Sequence, residues 1–240
     1  MYSDNRTKNL IVGSIKRLAV VSLFFASFLL AANSAHAISI DYANLANTSP
    51  GEGGYASFTP AAVDGITVTA TATNIAGNIN YYAYLDSTWD TGGGGGLGGL
   101  GVCKDLFGDS VPDIDGSDCN PSSDDNLTAG EMLTLDFSEE VIITQILFRD
   151  GEHWPSFSYP NNDFDLYIDL DPAISYPLVH EFNTILTGTR FSFVTSTGGT
   201  DVDELYIQMI TFTPVPEPST YLLLGSGLLA LASWRRRTKR

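Results

Sequence analysis

Alternation of apolar and polar residues with a period of two restricts this chain more than any other feature. In "GITVTATATN", Gly65 to Asn74, residues Ile66, Val68, Ala70 and Ala72 fall on one face and the threonines on the other. "EMLTLDF" places Leu133, Leu135 and Phe137 together, and "DFDLYIDL" alternates Asp163, Asp165, Tyr167 and Asp169 with Phe164, Leu166, Ile168 and Leu170. Successive side chains of a strand point to opposite faces, so these segments suit strands with one face in a core. "VIITQILFRD" sets Ile142, Ile146 and Phe148 against Ile143, Gln145 and Leu147 and reads as a strand buried on both faces. "TRFSFVTS" and "DELYIQMITF" complete the set. Segments rich in Thr, Ile, Phe and Tyr, broken by Gly, Pro, Asn and Asp, are the mark of antiparallel strands. About eight to ten of them in one domain of roughly 175 residues predict an all-β fold, an antiparallel β-sandwich of jelly-roll type.

The two ends obey different rules. Arg6, Lys8, Lys16 and Arg17 precede an apolar run from Leu18 to Ala32, followed by small residues at Ala35 and Ala37. A basic region, an apolar core and an A-x-A site make residues 1–37 a secretory signal peptide. At the other end, Tyr221 to Trp234 carries no charge. As a helix it would rise about 21 Å, thinner than a ~30 Å hydrocarbon core. Trp234 and the arginines behind it can snorkel at the interface, which makes a thin transmembrane helix tolerable. Arg235, Arg236 and Arg237, with Lys239 and Arg240, assign that end to the cytoplasm. Pro214, Pro216 and Pro218 are expected to keep the preceding stretch extended and clear of the folded domain.

"VPEPST" at Val215 to Thr220, a short apolar span and a terminal arginine cluster together resemble the PEP-CTERM sorting signal of Gram-negative bacteria. The resemblance implies that residues 214–240 are a sorting signal, with Pro216, Glu217 and Pro218 as its recognition element. It further implies an exosortase-like processing enzyme in the inner membrane as partner, transient anchoring there, and a surface or matrix destination associated with exopolysaccharide. A weaker resemblance, over Gly98 to Phe148, is to the extracellular domain carried by many such proteins. It supports the sandwich for residues 38–213 and implies no activity.

Between the ends, residues 38–220 hold only three basic residues, Lys104, Arg149 and Arg190, against 27 acidic ones, a formal charge of −24. A surface of that sign excludes nucleic acid as a partner and attracts cations. The two cysteines, Cys103 and Cys119, are expected to pair after export into an oxidising compartment. Their bridge would close a loop of about 17 residues and stabilise by about 3 kcal/mol on the chain-entropy view.

That loop and its surroundings are dense in carboxylates. Calcium wants six to eight oxygens from a turning loop. Asp113, Asp115 and Asp118 form one candidate calcium set, and Asp124, Asp125 and Glu131 another. The spacing departs from the helix–loop–helix calcium pattern, and a solvated acidic loop explains the same residues.

The glycine run before it, Gly92 to Gly101, contains a formal G-x-G-x-x-G at Gly96, Gly98 and Gly101. A cysteine-closed acidic loop follows instead of the helix that a dinucleotide site requires, so the run reads as a flexible connection or a bulge over a sheet edge.

Catalysis finds little support. Asp150, Glu152 and His153 could be drawn as an acid–base set beside Trp154, but one turn gives no convergence on a substrate, and neither G-x-S-x-G nor H-E-x-x-H occurs. His153 reads as a loop residue and His180 as a strand residue. Tyr82 and Tyr84, on one face of a strand, read as core. Trp154 and Tyr159, in a proline-rich loop, are the candidates for stacking on sugar rings. The expected function is structural or adhesive, without enzyme activity. The alternatives are a calcium-dependent carbohydrate-binding module and an extracellular glycan hydrolase.

Overall fold

The alternating segments become strands, and what the sequence could not give is how they bend. The computed structural model describes residues 36–77, 81–87, 96–106, 117–119, 125–155, 157, 163–195, 204–216, 225–228, 231 and 234–235. Among these, β1 is Ile38–Asp41, β2 Gly53–Tyr55, β3 Val68–Asn74, β4 Tyr82–Asp86 and β5 Gly99–Cys103. They are followed by β6 Glu131–Asp150, β7 Asp163–Ile168, β8 Ile174–Pro177, β9 Glu181–Thr195 and β10 Leu205–Pro214. One short helix, α1 (Tyr42–Asn47), follows β1, and the Asp41 side chain caps it by accepting from the Asn44 amide at 2.9 Å. The strands join one sheet in the order β2-β4-β5-β10-β6-β9-β7-β8, with β1 also on β10 and β3 also on β6. Every pairing is antiparallel.

β6 explains how one sheet encloses a core. Its residue Leu133 lies opposite Phe193 of β9. Phe148, 15 residues further along β6, has its ring centroid 6.3 Å from that of the same Phe193. A straight strand would separate the two positions by about 50 Å. The strand therefore doubles back, and its corner is Ser138–Glu140, where the buried–intermediate alternation breaks and the register to β9 shifts between Asp136 and Val141. The two halves face each other across a core in which Phe137 meets Phe191 and Phe212 edge-on, and Phe148 meets Phe164. Ile66, Val68, Ala70, Ala72, Leu133 and Leu135 line it as the alternation required.

Four local expectations need correction. In β6 it is Ile143, Ile146 and Phe148 that enter the core, while Ile142, Gln145 and Leu147 are half-buried. The register to β10 shifts between Ile143 and Gln145, which lie opposite Phe212 and Thr211, and this extra residue moves Ile142 off the core phase. Leu170 continues the β7 alternation on paper but is 98% exposed, because β7 ends at Ile168 and Asp169 turns the chain at φ 52°. Pro214 does not begin a free stalk. It pairs with Val141, and the Val215 amide donates to the Glu140 carbonyl at 3.0 Å. His180 lies one residue before β9 rather than in it, its Nδ1 2.6 Å from the Phe148 carbonyl.

The corner of β6, the start of β1 and the end of β10 mark one end of the fold. The opposite end carries Asp150 and Leu205, which are paired, and Leu127, which bridges to Leu205 and leads into Glu131.

Candidate functional site

The opposite end holds a buried polar cluster built by four segments on the outer face of β4, β5 and β10. All five residues of β4 are buried. Ala83 and Leu85 face the main core, and Tyr82 and Tyr84 pack on the other face with Leu106 and the cysteines. Asp86 continues the tyrosine phase and is 6% exposed. The expected bridge joins Cys103 and Cys119, with Cα atoms 5.8 Å apart. Backbone pairings of Leu106 with Cys119 and of Gly54 with Ser117 hold its loop against the sheet.

Of the glycine run, Gly92 to Gly95 lie outside the described residues, and the rest, from Gly96 on, is packed against its neighbours and enters the sheet. Gly99 and Gly101 lie in β5, between β4 and β10 in the middle of the sheet. A Cβ on Gly101 would stand 2.1 Å from the Asp125 carbonyl oxygen, one on Gly98 2.3 Å from that of Asp86, and one on Gly96 1.8 Å from that of His153. No Cβ tolerates such contacts, so glycine is what lets the covering segments lie flat on the strand.

His153 reaches the cluster from a tight turn. Asp150, 8% exposed, accepts from the Glu152 and Trp154 amides through Oδ1 at 3.1 and 2.7 Å, and its carbonyl accepts from the His153 amide at 2.9 Å. The turn holds His153 at φ 68°, a region that non-glycine residues seldom enter. Its ring goes inward, with Nε2 2.5 Å from Asp86 Oδ2 and its plane edge-on to Tyr206 at 5.1 Å. The Tyr206 hydroxyl donates to Asp125 Oδ1 at 2.5 Å. Asn126, beside it, donates to Glu204 Oε2 at 2.7 Å.

Charge decides what this arrangement does. Burial, and then the charge of Asp86, push the Asp125 carboxyl up to about 7, against the pull of the Tyr206 hydrogen bond. Burial alone would lower the His153 pKa, but the hydrogen bond and charge of Asp86, with Asp125 and the Gly96 carbonyl, raise it instead. Tyr206 is pushed well up by burial and by the two aspartates, so it stays a neutral donor. The cluster holds protons near neutral pH in a place where Asp86, His153 and Tyr206 are each less than a tenth exposed. A general acid or base must come within hydrogen-bonding reach of its substrate, and these groups are spent on one another.

The other sequence candidates fall as follows. Asp118 is exposed, Asp125 is taken by Tyr206, and Glu131, 5% exposed, accepts from the Thr128 amide at 2.9 Å. Among the described residues no three His, Cys, Asp or Glu side chains stand together as metal ligands could. Asp113, Asp115 and Asp124 lie outside the described residues, as do Tyr159, Glu217, Pro218, Arg236, Arg237 and residues 1–35. Trp154 is 45% exposed, as expected of a side chain whose neighbour is turned inward. Asp86, Tyr206 and Glu204 were missed. The legible signal was a charge continuing the tyrosine phase of "YAYLD" and a tyrosine within a run buried on both faces, "LYIQ".

In the tail, Pro216 is exposed, and Gly225–Leu228, Leu231, Trp234 and Arg235 are helical. Among the described residues no helix is long and apolar enough to cross a membrane. Residues 214–237 match the family described as the PEP-CTERM protein-sorting motif. The chain thus carries a motif that implies export, transient membrane anchoring and processing by an exosortase before release. No curated protein and no solved structure matches the chain.

Proposed function

We propose that a protein so addressed is a surface or extracellular-matrix component with a structural or adhesive role beside exopolysaccharide, and not a catalyst. One observation carries this reading. The sorting motif follows, without a spacer, the last strand of a domain whose most unusual polar groups are buried against one another. His153 and Asp150, the nearest thing to an acid–base pair in the sequence, are engaged by Asp86 and by turn amides. The finer expectations stand with this proposal: a signal peptide over residues 1–37, jelly-roll connectivity for the doubled sheet, and a tail helix spanning the membrane until the exosortase acts. Mass spectrometry of the exported protein tests it. Mature chains should lack Arg235 to Arg240, and finding those residues retained at the surface would sink the reading.

Trp154 favours a second reading, a carbohydrate-binding module. An exposed indole on a turn that Asp150 stiffens is already arranged to stack on a sugar ring. Calcium, in that reading, would be held by the acidic stretch around Asp113, Asp115 and Asp118, since Asp125 and Glu131 have other partners. Trp154→Ala should then abolish retention of polysaccharide while leaving the melting curve in place. Unchanged retention returns the choice to the structural role.

A further inference from the structure

Both junctions of the exported domain leave it at one point. β1 runs antiparallel to β10, with Ile38 opposite Phe212 and Asp41 opposite Met209. Ile38 and Ile40 are 3% and 5% exposed, so this pairing is part of the core. The chain before Ile38 and the chain after Pro214 therefore emerge side by side, next to the Ser138–Glu140 corner, where the Val215 amide makes the last sheet hydrogen bond. From Val215 to the apolar run at Tyr221 is six residues, which reach at most about 20 Å. From Ile38 back to the apolar run ending at Ala32 is again six. Pro216 and Pro218 stiffen the first of these tethers.

The other end of the same strands carries the His153 cluster and Trp154. Between Val141, opposite Pro214, and Asp150, opposite Leu205, β6 runs for roughly 30 Å. The tether is shorter than the domain, and the acidic surface is repelled by anionic lipid, which disfavours lying flat.

We infer that the β1–β10 end of the domain is a membrane-facing surface, whose partner is the bilayer that holds the chain's own apolar tail, and that the anchored domain stands on this end. The end bearing Trp154, the disulfide loop and the buried cluster then points away from the bilayer, toward whatever the surface meets. The inference rests on the proposed anchoring of the tail. It adds an orientation and assigns the contact to the rim formed by Glu140, the start of β1 and the end of β10.

The cysteines of the native chain are bonded to each other, so a single introduced cysteine takes a fluorophore alone. Glu140→Cys marks the near end, and Glu152→Cys marks the far end at the same change of charge. Both residues are exposed. Ala129→Cys, also exposed and close to Leu127, is a second far marker. The full chain, unreduced, is reconstituted into phosphatidylcholine–phosphatidylglycerol vesicles carrying nitroxide headgroups, floated, and its fluorescence compared with vesicles lacking nitroxide. Quenching at 140 should exceed that at 152 and 129 by about twofold or more, given some 30 Å between the ends. Flotation with equal quenching at the three positions, or with stronger quenching at 152, overturns the orientation and leaves the anchoring intact. Failure to float overturns the anchoring reading, and the orientation falls with it.

Discussion

Asp125→Asn is the substitution that most directly tests the account of the buried cluster. In the folded protein the carboxyl sits at about 7, against about 3.9 for an aspartate in an unfolded chain. The sign follows from which state holds the proton more tightly. A carboxyl raised on folding costs nothing while it is protonated in both states. Its penalty grows as the pH climbs from about 4 to about 7 and is constant above that. Three units correspond to about 4 kcal/mol, and the partial exposure of Asp125 brings the expected effect to about 2 kcal/mol. Asparagine keeps an oxygen to accept from Tyr206 and carries no charge. At pH 8 the variant should therefore be more stable than the native protein by about 2 kcal/mol, or roughly 4–8 °C in a domain of this size. At pH 4.5 the two should melt together or the variant slightly lower. The difference between variant and native curves cancels the self-repulsion of the remaining carboxylates, which both proteins share. His153 adds to the same trend in the native protein, because a histidine raised by Asp86 contributes stability that is lost as the pH rises through its folded value. Thermal unfolding across pH 4.5–8.5 is the assay. If the variant is destabilised by the same amount at both ends of that range, Asp125 carries no buried charge cost, and its role is the Tyr206 hydrogen bond alone.

Other substitutions separate strong contacts from weak ones. Gly101→Ala puts a methyl 2.1 Å from a backbone oxygen that cannot swing away, and chemical denaturation should show a loss of about 3 kcal/mol or more. Replacing Cys103 and Cys119 by serine together should cost about 3 kcal/mol, and a reducing agent should reproduce that loss in the native chain but not in the variant. Arg190→Ala breaks a two-point contact to Asp136 at 2.6 and 3.2 Å, yet both partners are solvated, so the cost should stay near or below about 1 kcal/mol and shrink in high salt.

The sorting tail and the existence of most strands were legible without any structure, and the physics of both is local. A recognition element, an apolar run and a basic end are read by the membrane and by an enzyme as linear features, so their order along the chain is sufficient information. A strand's inward face is likewise written in the parity of its residues, which is why Leu133, Leu135, Phe164 and Leu166 were placed correctly. Parity fails wherever one residue is added or a strand stops, and Ile142 and Leu170 are those two cases. The doubling of β6, the seating of β1 on β10 and the flat covering of Gly101 depend on which distant segments meet. So does the cluster, since Asp125, His153 and Tyr206 acquire their shifted titration only from burial and from the charges and hydrogen bonds that packing brings beside them, that of Asp86 among them. Each of these residues looks ordinary in its own stretch of sequence, and tertiary packing alone brings them within about 5 Å of a partner in a low-dielectric place.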